Sequence, residues 1–245
     1  MAQKYKLGIV SPTYNESLNI PILIERIKQV VEDSKIKTLL LVVDDGSPDD
    51  TGKTVLEHSR SISSDFLDIK LLQRGSKKGF SSAYVEGIQQ IQNDVEFIMS
   101  MDADLSHQQK YIPDFLHKIE SENLDIIIGS RYAKGGGIEN WGLHRILLSR
   151  WSALYCFMIL WIPLTDFTGG YNLFRSTFIE QFDFSKIQAK GYFFLIELKY
   201  KMIKQGAKYG EVPFIFVDRI NGDSKMTLDK MIENAIGVIK LRFSK

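Results

Sequence analysis

Cysteine is nearly missing from this chain. Cys156 is the only one in 245 residues, which excludes an internal disulfide framework and favours a reducing compartment. Net charge is nearly missing too, with 31 basic residues against 30 acidic ones. No global field would draw in nucleic acid, so no nucleic-acid partner is expected and any basic site must be local. Long hydrophobic runs are also absent. The longest, "WSALYCFMILWIPL" (151–164), is broken by Ser152 and Pro163 and is too short to span a bilayer. The start, "MAQKYKLGIV", turns apolar only for a strand's length, so no secretory leader is expected. There are no repeats and no low-complexity tracts.

What is present is an ordinary globular composition, 44% hydrophobic and 25% charged, in a chain long enough to bury a substantial core. Strand-like runs occur at 5–10, 38–43, 68–73, 95–101 and 124–129. Between the first two, Ile20, Leu23, Ile24, Ile27, Val30 and Val31 recur at helical spacing, and Ala83, Ile88 and Ile91 mark another helix. Strands interleaved with helices predict an α/β fold with a mainly parallel sheet flanked by helices. Such sheets bind ligands beyond the carboxyl ends of their strands. Here the polar segments "SPTYNE", "DDGSPDD", "DADLSH" and "GSRYAKGGG" each follow a strand, so all four are expected on one edge.

After about residue 140 the pattern changes. The 151–164 run predicts an apolar core or interfacial helix, and 190–206 a second helix. "YGEVPFIFVDR" predicts an edge strand, because Pro213 cannot donate to a ladder. The tail from Met226 is amphipathic, with Lys240, Arg242 and Lys245 near its end. One domain spanning 1–245 is expected, with a first half (1–130) and a C-terminal elaboration (131–245).

The segment "MSMDADLSH" sets Asp102 and Asp104 two residues apart at the end of a predicted strand. Alternation along a strand would put both carboxylates on one side, where they suit a hard divalent cation, Mg²⁺ or Mn²⁺, shared with phosphates. A solvated acidic turn is the competing reading of that motif alone.

Taken together, "PTYNE", "VVDDGSPDDT" and "MDADLSH" resemble the inverting family 2 glycosyltransferases of GT-A (Rossmann-like) fold. The later segments "GSRYAKGGGIENWGLHRILLS", "DFTGGYNLFR", "KGYFFLIE" and "EVPFIFVDRINGDSK" are similar to the dolichyl-phosphate (polyprenyl-phosphate) mannosyltransferases. The resemblance covers nearly the whole chain. It implies a nucleotide-sugar site at Pro12, Thr13, Tyr14, Glu16, Asp45, Asp102, Ala103 and Asp104, with Arg219 and Lys225 as further phosphate contacts. It also implies a metal held by Asp102 and Asp104, with Asp44 in a supporting or purely structural role. Some relatives carry Gln two residues beyond the second aspartate; this chain has Ser106 there, a poorer ligand, followed by His107.

An acceptor that is a lipid phosphate is already ionised near neutral pH and needs cations rather than a base. Arg131, Arg145 and Ser149 are the candidates to hold it, with Arg219 beside them, since guanidinium forks onto phosphate oxygens. With Asp104, the two arginines form the candidate catalytic set. The glycines at 135–137 suggest a mobile loop over the site. Asp166 is either a base for a hydroxyl acceptor or an anchor for its loop.

The implied reaction is mannose transfer from GDP-mannose to dolichyl or polyprenyl phosphate, giving a β-linked product. The alternatives are glucosyl transfer from UDP-glucose, transfer to a sugar hydroxyl, and a non-catalytic nucleotide-sugar-binding subunit. The implied location is peripheral, on the cytosolic face of a membrane: endoplasmic reticulum in a eukaryote, plasma membrane in a prokaryote. Relatives with a similarly short C-terminus work with small membrane-embedded partner subunits.

Overall fold

The computed structural model describes residues 4–62, 64–191, 193–218 and 228–243. Its first stretch alternates strand and helix as β1 (Tyr5–Thr13), α1 (Ile20–Asp33), β2 (Thr38–Asp44), α2 (Thr51–Ser61), β3 (Leu67–Gln73), α3 (Phe80–Ile91) and β4 (Val95–Ser100). There follow α4 (Ile112–Ser121), β5 (Ile126–Ser130), β6 (Gly137–Glu139), α5 (Leu143–Leu160), β7 (Asn172–Arg175) and α6 (Ser176–Ile179). The described chain closes with α7 (Phe193–Lys204), β8 (Tyr209–Pro213), β9 (Ile215–Val217) and α8 (Leu228–Phe243).

Seven strands form one sheet in the order β3-β2-β1-β4-β7-β5-β8. All run parallel except β7, which is antiparallel to both its neighbours. β6 and β9 form a separate parallel pair. Every residue of β2 is buried, because helices cover both faces of the sheet and a continuous apolar run is what such a strand requires. Val10, Leu39, Leu41 and Val43 pack on one face with Ala83 and Ile88 of α3. Leu7, Ile9, Leu40 and Val42 pack on the other with the α1 residues Ile20, Leu23, Ile24 and Ile27. Gly87 sets the spacing of the first layer: a Cβ there would come within 2.5 Å of Val10 Cγ1 and 2.8 Å of Val43 Cγ2.

Four expectations are corrected. β7 carried no strand signal, since four residues after a glycine pair show no usable period, yet it is buried inside the sheet. The single edge strand is two. β8 ends at Pro213 on the sheet's outer edge, and β9 then leaves to pair with β6. The apolar helix begins at Leu143 and ends at Leu160, where Trp161 turns left-handed (φ +57°) and its N–H caps Phe157 O. The triglycine is not an unpaired loop: Gly136 lies against Ser130 O, where a Cβ would sit at 2.6 Å, and Gly137 opens β6. β7 and β8, from beyond residue 130, complete the sheet begun before it.

Candidate active site

β1, β2, β4 and β5 all point the same way, so their four polar segments do meet at one edge. The loops after β1 and β2 are tied together through backbone donors: Asn15 N–H to Ser47 Oγ (3.0 Å), Glu16 N–H to Thr51 Oγ1 (3.0 Å) and Ser17 N–H to Asp49 Oδ2 (3.1 Å). Pro12 is half-buried in register with Val43, whose carbonyl accepts from the buried Thr13 hydroxyl at 3.2 Å. The Tyr14 ring has Lys77 Nζ 3.4 Å from its centre, and Glu16 Oε2 accepts from Asn19 Nδ2 at 2.6 Å.

Asp44 and Asp45 are both buried. Asp44 Oδ1 accepts from the Ser47 N–H and hydroxyl at 3.3 and 2.5 Å, which closes the turn. Asp45, expected at the nucleoside, is already committed to three donors. Arg74 Nη1 (2.8 Å) and Lys78 N–H (2.9 Å) reach Oδ1, and Gly79 N–H (2.8 Å) reaches Oδ2. It fastens the 74–79 loop to the site. Arg74 was not among the expected residues, although its place after a parallel strand on the same edge was a usable signal.

The aspartate pair is close in sequence for a different reason from the one strand alternation suggested. β4 ends at Ser100, and Asp102 and Asp104 lie in the turn beyond it. Ser106 pulls that turn tight, donating its N–H (3.1 Å) and hydroxyl (2.6 Å) to Asp104 Oδ1. Leu105 pays with a left-handed φ of +66°, an uncommon conformation for a bulky residue and one that clusters at functional sites. Ala103 is buried, with its side chain in the hydrophobic core.

His107 holds the other end. Its Nδ1 accepts the Asp102 N–H at 3.0 Å, which leaves the proton on Nε2, 3.8 Å from Asp102 Oδ2. The ring stacks on Tyr171 at 4.8 Å and meets Phe214 and Phe216 edge-on. Burial pushes its pKa down to about 4, against the opposing pull of Asp104, so it is neutral at physiological pH. Gly170 completes this corner: a Cβ there would stand 3.3 Å from Asp102 Oδ1.

Asp166 resolves as the anchor. It is fully buried and grips Arg131 through two bonds, Nε to Oδ2 (2.7 Å) and Nη2 to Oδ1 (2.8 Å). Gly169 N–H also reaches Oδ1, at 3.1 Å. Burial opposes its ionisation, but Arg131 outweighs it and holds the carboxyl down at about 2. One edge of the Arg131 guanidinium is therefore engaged, and Nη2 also donates to Thr168 Oγ1 (2.7 Å). Arg131 and Arg145 approach the same indole: their guanidinium carbons lie 5.8 and 3.7 Å from the Trp141 ring centre. Arg145 pairs with Asp218 at 3.1 Å. Ser149 Oγ accepts from Tyr132 at 2.5 Å, so its own proton can be given onward. Beneath them lies a residue that the sequence did not single out, the buried Lys199, whose Nζ donates to Phe167 O (3.0 Å) and Gly169 O (2.6 Å). Burial pulls its pKa down to about 8, with Asp166 holding it up. Arg219 and Lys225 lie outside the described residues.

Residues 8–182 match the model of glycosyl transferase family 2. This chain belongs to that family. It is 33% identical to the undecaprenyl-phosphate mannosyltransferase of Micrococcus luteus over 219 residues, covering 89% of this chain and 86% of the relative. It is 34% identical to the polyprenol monophosphomannose synthase of Mycolicibacterium smegmatis, covering 89% and 80%. Among solved structures it resembles glucosyl-3-phosphoglycerate synthase from Mycobacterium tuberculosis, captured with Mn²⁺, UDP-glucose and phosphoglyceric acid. The TM-score is 0.68 at 15% identity, over 97% of this chain and 78% of that one. That likeness establishes the shared GT-A fold, a mostly parallel sheet flanked by helices. As a family 2 member with mannosyltransferase relatives, the chain is a glycosyltransferase.

Proposed function

We propose that this glycosyltransferase moves mannose from GDP-mannose to dolichyl or another polyprenyl phosphate, with inversion to a β-linked product, at a membrane surface. The names of the two relatives support the sugar and the class of acceptor. The observation that carries the reading within this chain is the state of Asp166. A hydroxyl acceptor needs a base, and the one carboxylate suggested for that task is buried, ionised and locked onto Arg131. A phosphate acceptor has no such need.

The donor side suits a hard cation. Asp102 and Asp104 are half-exposed carboxylates on one turn, and no group of three His, Cys, Asp or Glu side chains able to hold a metal occurs among the described residues. Two carboxylate oxygens with the remaining positions filled by water and phosphate is how Mg²⁺ or Mn²⁺ is commonly held, and not zinc. When bound, the ion supplies Lewis-acid stabilisation of the departing diphosphate. The chain's own residues do the rest. His107 fixes the backbone of Asp102, and Ser106 fixes the carboxylate of Asp104. Arg145, Arg131 and the Ser149 hydroxyl draw the acceptor phosphate in and offset its repulsion from the donor. Arg219 and Lys225 are assigned to phosphate contacts on the same grounds of charge and motif.

The test is a panel of GDP-mannose and UDP-glucose, each offered with a short polyprenyl phosphate or a water-soluble sugar, with Mg²⁺, Mn²⁺ or EDTA. Mannosyl lipid phosphate formed only with a divalent ion is the expected result. Transfer to the soluble sugar, or undiminished activity in EDTA, overturns the reading. Adding a small membrane-embedded subunit tests whether this chain works with such a partner.

A further inference from the structure

The helix α5 is apolar where it meets solvent. Leu143 is 79% exposed, Trp151 65% and Trp161 78%, and Leu147, Leu154 and Met158 are also exposed. At 3.6 residues per turn, the five helical positions Leu143, Leu147, Trp151, Leu154 and Met158 share an arc of about 80°, and Trp161 follows as the C-terminal cap. Ala153, Cys156 and Leu160 face the opposite way, into the protein. α8 packs alongside, with Tyr155 donating to Ala235 O at 2.9 Å, and adds exposed Ile236, Ile239 and Phe243. No helix of the described residues is long and apolar enough to cross a membrane, so this face suits the surface of a bilayer.

Beside it opens a groove of about 870 Å³, lined by none of the residues assigned to the reaction. Four cations line it, Lys186, Lys201, Lys204 and Arg242, against one carboxylate, Asp183. Asp183 already accepts from the Ser185 N–H (3.0 Å) and hydroxyl (2.6 Å), and Lys201 is paired with Glu197 at 2.6 Å. Lys186, Lys204 and Arg242 have no ion-pair partner within 4 Å among the described residues. In a chain of net charge +1, this is a local concentration of positive charge. Arg242 joins the groove to the apolar face. It lines the one, sits 5.5 Å from the ring centre of Trp161 on the other, and precedes Phe243, which is 80% exposed. Exposed aromatic rings lie at the headgroup level of a bilayer, and that places the three cations at the depth of lipid phosphates.

We propose that this groove takes the headgroup of an anionic phospholipid, and so fixes the orientation in which the α5–α8 face lies on the membrane. The proposal rests on the membrane placement given above and needs nothing from the transfer chemistry. A soluble anion would not account for an apolar rim joined to the groove through Arg242 and Trp161; a lipid accounts for both.

Vesicle co-sedimentation tests it with no nucleotide sugar present. Vesicles of phosphatidylcholine alone are compared with vesicles containing 30% phosphatidylglycerol, at low and high salt. One basic residue near an anionic surface is worth about 1 kcal/mol, or about fivefold in partitioning. Lys186→Glu with Lys204→Glu is therefore expected to weaken binding to the anionic vesicles by at least about 25-fold, while the weak binding to phosphatidylcholine stays as it was. Lys204→Gln alone should cost about fivefold. Transfer to a short polyprenyl phosphate in detergent should be unchanged in the double variant, which also reports an intact fold. Vesicle binding indifferent to anionic lipid overturns the proposal. So does displacement by millimolar inorganic phosphate at constant ionic strength, which marks a free-anion site, and so does lost transfer in detergent, which marks an acceptor subsite. Absence of mannosyl transfer in wild type would sink the functional reading and leave this result standing.

Discussion

The strand-end corner around Asp102, His107 and Asp166 and the outer face of α5 and α8 are opposites. In the first, buried polar groups are held by named partners, Asp166 by Arg131 and Asp45 by Arg74, Lys78 and Gly79, and the backbone of the half-exposed Asp102 is held by the buried His107. In the second, large apolar groups stand in solvent. Buried polar atoms are costly unless satisfied, and exposed apolar patches cost little to stability but mark what a surface meets. The contrast teaches where each function resides. The corner is preorganised and will not tolerate truncation; the face is shaped for something outside the chain.

The sharpest break in that contrast is Asp166→Asn. It leaves the Arg131 guanidinium buried without its counter-charge, a change worth about 3–5 kcal/mol, and urea unfolding should show a loss of that size. Arg131→Lys should cost less but still more than a surface substitution, because a point charge cannot fill both bonds of the fork. A loss within ~0.5 kcal/mol for either would mean the pair holds nothing together.

Asp104→Ala falls on activity instead. It removes one of the two carboxylates proposed for the metal, and the loss of a single electrostatic stabiliser typically costs about 2.7–4 kcal/mol of barrier, or about 10²–10³ in rate. Its unfolding midpoint should stay near wild type. Full activity in the variant would end the metal assignment.

His107 gives the corner a pH dependence whose sign is fixed by burial. Its pKa in the fold, about 4, lies below the ordinary 6.5, so the unfolded chain takes up the proton first. Its contribution is whole above pH 6.5 and is lost as pH falls toward 4, by about 3 kcal/mol across the window. Urea titrations in EDTA between pH 7 and 4.5 should show this slope. His107→Phe keeps an aromatic ring against Tyr171 but gives up the acceptor for the Asp102 N–H, and its curve should be flatter there. An equal slope in both proteins would assign the acid sensitivity to other groups.

The smallest effect on stability belongs to the other region. Trp151→Ser with Trp161→Ser should move the unfolding free energy by less than ~0.5 kcal/mol per site, while binding to vesicles falls markedly. A large loss of stability would mean that the two rings are packed, and the contrast between the regions would fail.

The parts of this arrangement that could be read from the sequence were those written in local periodicity. α1 and α3 followed from their apolar spacing, and β1 to β5 from short β-branched runs closed by polar turns. The aspartate pair was visible as a motif, but its geometry was not. A turn closed by Ser106, with Leu105 left-handed, does what strand alternation was expected to do. β7 was hidden because a strand of four residues is recognisable only by its neighbours, and these lie far away in the chain. The same holds for Lys199. On a helix it reads as a solvated lysine, and only the carbonyls of Phe167 and Gly169, 32 and 30 positions earlier, make it a buried donor. The exposure of α5 was equally out of reach, since composition cannot say which side of an apolar helix the fold will leave uncovered.

The insertion of β7 between β4 and β5 also sets a schedule for synthesis. Asn172, which faces Ser100 across that seam, comes 72 positions after it. At about 5–20 residues per second, the growing chain presents the bare edge of β4 for roughly 4–14 s before its partner exists. Within that interval the whole of α5 is also made. A nascent chain therefore carries an unpaired strand edge and an oily helix at the same moment, the two features that most readily recruit unwanted neighbours. Shielding of this intermediate on the ribosome, more than the stability of the finished enzyme, should decide how much of it a cell obtains.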